Sequence, residues 1–293
     1  MDENEWLAER FEEHRARLRA VAYRMLGSLA EADDAVQDTW LRLSRSGAAG
    51  VENFGGWLTT IVARVCLNML RSRATRREEA FGVHIPDPVV SREGDLQPDQ
   101  EALLADSVGL ALLVVLDTLT PAERLAFVLH DMFALPFEEI APMVGRTPAA
   151  ARQLASRARR RVRGADVPAP DPDLARQRGV VDAFFLAARA GDFDARVALL
   201  VPDVVLRADY GAWRPAASTV VRGAAAVARQ ARAIPTAVVH PALVNGTAGA
   251  VITVAGRPFA VMGFTVVDGS IVAIDAIADP ERVRRIAAAV LDG

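Results

Sequence analysis

Between Arg146 and Arg163 the chain carries seven arginines and no acid. Set on a helix, Ala151, Leu154, Ala155, Ala158 and Val162 share one stripe, and Ala149, Arg152, Gln153, Ser156, Arg157 and Arg160 take the opposite face. A helix lying in a major groove reads base edges with its N-terminal residues. Arg matches the paired acceptors of guanine and Gln the donor and acceptor of adenine. Arg152 and Gln153 are therefore the candidate base readers. Arg146, Arg157 and Arg160 suit phosphates, which position a protein without reading sequence, and Thr147 opens the same face. The bland alternative is an Arg-rich solvated helix.

Two further stretches carry chemistry. Trp57, Thr60, Arg64, Asn68 and Arg71 fall on one helical stripe, and from Trp57 to Arg77 there are five arginines and no acid. An aromatic with Arg and Asn on one face suits an unpaired strand, whose bases stack while Arg holds the backbone; otherwise Trp57 is core and the arginines are solvated. Glu31, Asp34, Gln37 and Asp38 form an acidic face that repels DNA and suits a basic protein surface, or simply water.

The elements that position these residues are marked by caps. Thr120-Pro121-Ala122-Glu123 reads as a capping box with Pro in the first turn. Pro136 to Val144 reads as a short helix closed by Gly145, and Thr147-Pro148 opens the next. Helix, turn and helix here outline a helix-turn-helix. Upstream, Phe11, Leu18, Val21, Ala22 and Met25 recur at helical spacing. Ser28 and Glu31 read as a second capping box, and a third helix is expected from Phe54 to about Arg77.

Composition bounds the alternatives. A chain of 293 residues, 52% hydrophobic, supports several small cores, and a net charge of −3 argues against a uniformly basic coat. All 34 basic residues are Arg. One cysteine, Cys66, excludes an internal disulfide framework, and His14, His84, His130 and His240 are too dispersed for a helical metal pair. No metal, cofactor or catalytic residue is expected. The acidic, amphipathic start does not read as a signal peptide, and the longest apolar runs, such as Gly109 to Leu116, are about half what a bilayer needs. A cytoplasmic chain without a membrane partner is expected.

Proline- and acid-rich stretches divide the sequence. The expected domains are 1–80 and 107–164, both all-α; an acidic linker at 81–106; a second linker at 165–173; and an α+β domain at 174–293. In the last, Asn245-Gly246 and Asp268-Gly269 read as hairpin turns between strands. Asp209, Tyr210, His240 and Asp275 are the polar groups from which an acid–base site there would have to be built.

Residues 8–163 resemble the extracytoplasmic-function (ECF) sigma factors of the sigma-70 family. The likeness runs through Ala22-Tyr23-Arg24-Met25-Leu26-Gly27, Glu31-Ala32-Asp33-Asp34-Ala35-Val36-Gln37-Asp38 and Trp57-Leu58-Thr59-Thr60-Ile61-Val62. It resumes at Leu119-Thr120-Pro121-Ala122-Glu123-Arg124, Phe137-Glu138-Glu139-Ile140-Ala141 and Ala151-Arg152-Gln153-Leu154-Ala155-Ser156-Arg157-Ala158-Arg159. It implies an alternative sigma factor whose partners are core RNA polymerase and promoter DNA. The acidic face would dock on polymerase, the Trp57 helix with the loop Ser46–Gly56 would melt and read the −10 element, and the Arg146–Arg163 helix would read the −35 element.

The last domain resembles the SnoaL-like (polyketide-cyclase-like) cone that a subgroup of these factors carries as a regulatory fusion, in place of or beside an anti-sigma factor. A small ligand is the other candidate effector. Two stretches depart from that subgroup. Val83-His84-Ile85-Pro86-Asp87-Pro88 stands where it has Trp-Leu-Pro-Glu-Pro, and Asp209-Tyr210-Gly211-Ala212-Trp213-Arg214 where it has Asp-Gly-Gly-Gly-Lys, which predicts an altered linker contact. Asp209, Tyr210, Trp213 and Arg214 are thus the candidate pocket or contact loop. The runner-up reading is a stand-alone helix-turn-helix regulator with a ligand-sensing domain; an enzyme governed by its helical half is a third.

Overall fold

The structure, a computed structural model, describes residues 3–48, 50–77, 83–94, 109–165, 169–231 and 234–291. They fall into two units, one holding 3–48, 50–77 and 115–165, the other 83–94, 109–114, 169–231 and 234–291.

The first unit is helical. α1 (Glu3–Leu26), α2 (Leu29–Ser46) and α3 (Phe54–Arg77) pack together. Phe11, Leu18, Val21 and Met25 of α1 are buried with Val36 and Leu43 of α2 and Leu58, Val62 and Cys66 of α3. Burial in this apolar core pushes the Cys66 thiol far up, so it stays neutral. Asn53 caps α3, its Oδ1 accepting from Gly56 N at 2.9 Å. The expected Ser28 capping box does not form. Ser28 makes no side-chain cap bond, and Glu31 instead pairs with Arg73 of α3.

After α4 (Leu110–Asp117) come α5 (Pro121–Phe127), a π-helical turn at Val128–Met132, α6 (Phe137–Val144) and α7 (Pro148–Gly164). The Thr120–Glu123 capping box is complete, Gly145 closes α6 at φ +65°, and Thr147 Oγ1 caps α7 through Ala150 N. Gly145 is left-handed, a conformation that a Cβ would strain. The helix-turn-helix outline is present as expected.

The second unit is built on a seven-stranded sheet. In chain order its elements are β1 (Val90–Ser91), α8 (Leu174–Ala190), α9 (Phe193–Ala198), β2 (Leu200–Asp209), β3 (Thr219–Arg222), α10 (Ala224–Gln230), β4 (Ala237–Val244), β5 (Thr247–Val254), β6 (Arg257–Val267), β7 (Ser270–Ile277) and α11 (Pro280–Leu291). The strand order is β1-β4-β5-β6-β7-β2-β3, and only β2 and β7 run parallel. Asn245-Gly246 and Asp268-Gly269 take positive φ at both positions, the conformation of tight hairpin turns that follow strand twist. Ala255-Gly256 does the same, a turn that its sequence does not advertise.

Alternation along the strands gives the sheet two cores. On one face Val181 and Phe184 of α8 and Val227 of α10 pack on Leu206, Phe264 and Ile274. On the other, Ile85, Val90, Leu110, Val114 and the α11 residues Val283 and Ala287 pack on Val251, Val261 and Ile277. This is the α+β cone expected for the C-terminal domain.

One expectation changes. Residues 83–91, expected as part of an excluded acidic linker, are built into the second unit: Ile85, Pro86, Asp87, Pro88, Val89 and Val90 are buried, and β1 pairs with β4. Asp87 is tolerated because arginines from α11 neutralise it. Of the rest of that expected linker, 81–82 and 95–106 lie outside the described residues.

Candidate nucleic-acid interface

α7 carries the proposed base readers. Its small residues Ala151, Ala155 and Ala158 are buried, so the helix approaches α5 and α6 closely while its opposite face stays open. Arg146, Thr147, Ala149, Arg152, Gln153, Ser156, Arg157 and Arg160 are all exposed. Arg152 lies over the Phe137 ring at 5.2 Å, which holds its guanidinium at the helix start.

The arginines of α7 divide by partner. Arg161 and Arg157 reach Glu123 at 2.9 and 3.7 Å, and Arg159 reaches Asp131 at 3.2 Å. Desolvation raises the Asp131 carboxyl, partly opposed by Arg159. Arg157, expected on a phosphate, is thus also tied to Glu123, although its side chain is half exposed. Arg146 and Arg160 have no ion pair among the described residues and are exposed to solvent.

On α3, Arg64, Asn68 and Arg71 are exposed; Trp57 is half-buried, 6.1 Å from the Phe54 ring. Thr60 is also half-buried and donates its hydroxyl to Gly56 O at 3.0 Å. Trp57 is therefore neither fully core nor fully exposed. On α2, Asp34 and Gln37 are exposed, and the half-buried Asp38 bonds Arg42 at 2.9 Å. Glu31 faces Arg73 and is not a free member of the acidic surface.

Two buried arginines went unassigned in the sequence. Arg24 of α1 and Arg124 of α5 are each 1% exposed. Arg124 donates Nε to Arg24 O at 3.1 Å and pairs with Asp117 at 3.1 Å, and Arg24 lies 5.2 Å from the Phe133 ring centre. They tie α1 to α5 and the π-turn. Both stand in quoted motifs, but an arginine in a motif gives no sign that it points inward.

In the second unit, Asp209 is a clasp for the segment before β1. Its Oδ2 accepts from Ile85 N at 2.9 Å and from Arg282 at 2.7 Å, and its Oδ1 from Gly211 N at 2.8 Å. Arg282 also reaches Asp87 at 2.7 Å and donates to Ile85 O; Arg285 reaches Asp87 at 2.6 Å. Burial acts to lower the Arg282 pKa, but Asp87 and Asp209 outweigh it and hold it raised. Val89 N donates to Asn245 Oδ1 at 2.7 Å. The segment before β1 is thus held on the second unit by Asp209, Asn245 and Arg282.

The four polar candidates for an acid–base site do not converge. Asp209 serves the clasp, and Asp275 pairs with Arg207 at 2.9 Å, its carboxyl raised by burial against the pull of that arginine. His240 Nε2 meets Thr253 Oγ1 at 3.0 Å. Tyr210 lines an apolar cavity with Ala208 and Ala276, the strand neighbours that point away from Asp209 and Asp275. Trp213 is exposed, with Arg214 4.5 Å from its ring centre, so this pair lies outside both clasp and cavity.

Known proteins share this architecture. Residues 10–76 match Sigma-70 region 2 and residues 109–162 match Sigma-70, region 4. The chain is 39% identical over 289 residues to the ECF RNA polymerase sigma factor SigJ of Mycobacterium tuberculosis, covering 93% of this chain and 91% of that one. It is 37% identical over 207 residues to the probable ECF RNA polymerase sigma factor SigI of the same organism, 70% of each chain. The crystal structure of M. tuberculosis SigJ aligns at a TM-score of 0.74 and 36% identity, over 94% of this chain and 97% of that one. Both helical regions and the fused cone are included in that alignment, and the chain belongs to the ECF sigma factors of RNA polymerase.

Proposed function

We propose that this sigma factor reads the −35 element with Arg152 and Gln153, held on phosphates by Arg146, Thr147 and Arg160, with Ala149, Ser156 and Arg157 completing the contact face. The observation that carries this is the open, acid-free face of α7, whose small buried residues seat it closely on α5 and α6. Trp57, Thr60, Arg64, Asn68 and Arg71 engage the −10 strand. Asp34 and Asp38, with Gln37, dock on core polymerase; Glu31 contributes by fixing α2 to α3 through Arg73. The fused C-terminal domain modulates activity, and the protein works in the cytoplasm. It has no catalytic role of its own, since polymerase performs the chemistry and Asp209, Tyr210, His240 and Asp275 stand apart.

The test is run-off transcription with purified core polymerase on fragmented genomic DNA. The full-length protein is compared with an Asp34→Arg/Asp38→Arg variant. Discrete transcripts from the first, with core binding lost and DNA binding kept in the second, support these roles. Core affinity unchanged by the double reversal would refute the docking surface, and silence from both folded proteins would favour a regulator that acts without polymerase.

A further inference from the structure

Within the second unit, α8 and α10 close over the sheet to leave a cavity of about 620 Å³. That is the size of a pocket for a drug-sized molecule. Phe184, Ile252, Met262 and Ile274 are among its walls, and no Asp, Glu or His lines it among the described residues. The polar lining is Tyr210, half-buried, with Gln230 and Arg189, both exposed. The Tyr210 hydroxyl has no hydrogen bond to another described residue. Ile234 and Phe259, also in the lining, are 39% and 37% exposed. Large apolar side chains left to water beside a cavity are the mark of a surface that something covers.

We infer that this cavity binds an apolar small molecule with one acidic head, of the fatty-acid or aromatic-acid class. The apolar walls take its body, and burying that body supplies most of the affinity. Its head stays at the exposed rim, where, among the described residues, Arg189 is the one cation of the lining and no carboxylate lines it. Gln230 and Tyr210 add donors that an acid accepts. A cationic amphiphile of equal length meets the same walls but is repelled by Arg189. The site does not depend on the promoter-reading roles, since it lies wholly within the second unit.

The test uses the full-length protein and anilinonaphthalene sulfonate, an apolar probe with an anionic head. Saturable fluorescence is expected, displaced by decanoate about fivefold better than by decylamine, the discrimination that an exposed ion pair supplies. Ala276 lines the cavity from β7 and is half-buried, so Ala276→Phe sets a ring into its space. That variant should lose the probe while keeping its unfolding transition. Arg189→Glu alters an exposed side chain, leaves the fold intact, and should reverse the order of acid and amine. The inference is overturned by an absence of saturable binding, by a folded Ala276→Phe variant that still binds, or by acid and amine competing equally. If Ala276→Phe does not fold, Arg189→Glu decides alone: reversal supports the site, and an unchanged order overturns it.

Discussion

Replacing Arg282 by Met should unfasten the 83–91 segment. Arg282 donates to Asp87, Asp209 and the Ile85 carbonyl, and both of these aspartates are buried residues. Removing one partner of a buried ion pair strands the other, at about 3–5 kcal/mol. Asp87 keeps Arg285, and Asp209 keeps two backbone amides and a partly exposed His84 at 3.6 Å, so the lower end, about 3 kcal/mol, is expected. For a unit of this size that is a fall of roughly 10 °C in its melting temperature. A chain of two units need not unfold in one step, so hydrogen exchange gives the local reading. The Ile85 amide, held by Asp209, should exchange about a hundredfold faster. A double variant, Asp209→Asn/Arg282→Met, should recover part of the loss, because no buried charge is then left unpaired. A change below about 1 kcal/mol, with Ile85 exchange unaltered, would refute the clasp.

Arg152→Ala and Gln153→Ala should each weaken specific promoter binding by about 1–3 kcal/mol and relax base preference, whereas Arg160→Ala should weaken all sequences alike and lower the salt slope by about one. Quantitative gel shifts at several salt concentrations separate the two, and equal loss on random DNA would remove Arg152 and Gln153 as readers. Asp275 is raised by burial against the pull of Arg207, so the folded state binds its proton more tightly than the unfolded chain. That contribution to stability is fullest below the ordinary carboxylate value and is lost as pH rises through the raised one. Urea midpoints should show Asp275→Asn gaining on the native protein from about pH 4 upward; a widening deficit instead would mean that the Arg207 pair dominates. Thr120→Ala removes the cap of α5 and should lower the first unit's stability by about 1 kcal/mol, read from its thermal transition.

What could be read from the sequence was local. The Thr120 and Thr147 caps, the Gly145 stop, the small-residue stripe of α7 and the Asn-Gly and Asp-Gly turns each follow from a few neighbouring residues, and each is present. Two capping-box sequences show where that reading ends. Glu123 keeps its box while also receiving Arg161, but Glu31, in the same local pattern, turns to Arg73, 42 residues away. The choice between a backbone amide and a distant guanidinium is made by tertiary packing.

The same argument explains why 83–91 read as excluded. Pro86, Asp87 and Pro88 resist burial on their own, and the arginines that make burial tolerable follow 195 and 198 residues later. Asp209 and Tyr210 give the sharpest instance. Adjacent in sequence and grouped as one loop, they straddle the end of β2: Asp209 is its last residue, and Tyr210 follows at φ −96°, ψ 4°, where the chain turns away from the strand. Asp209 holds the segment before β1, and Tyr210 lines the cavity. Composition could mark both as polar groups of interest. Only the folded surroundings decide that one is a structural clasp and that the other lines the cavity.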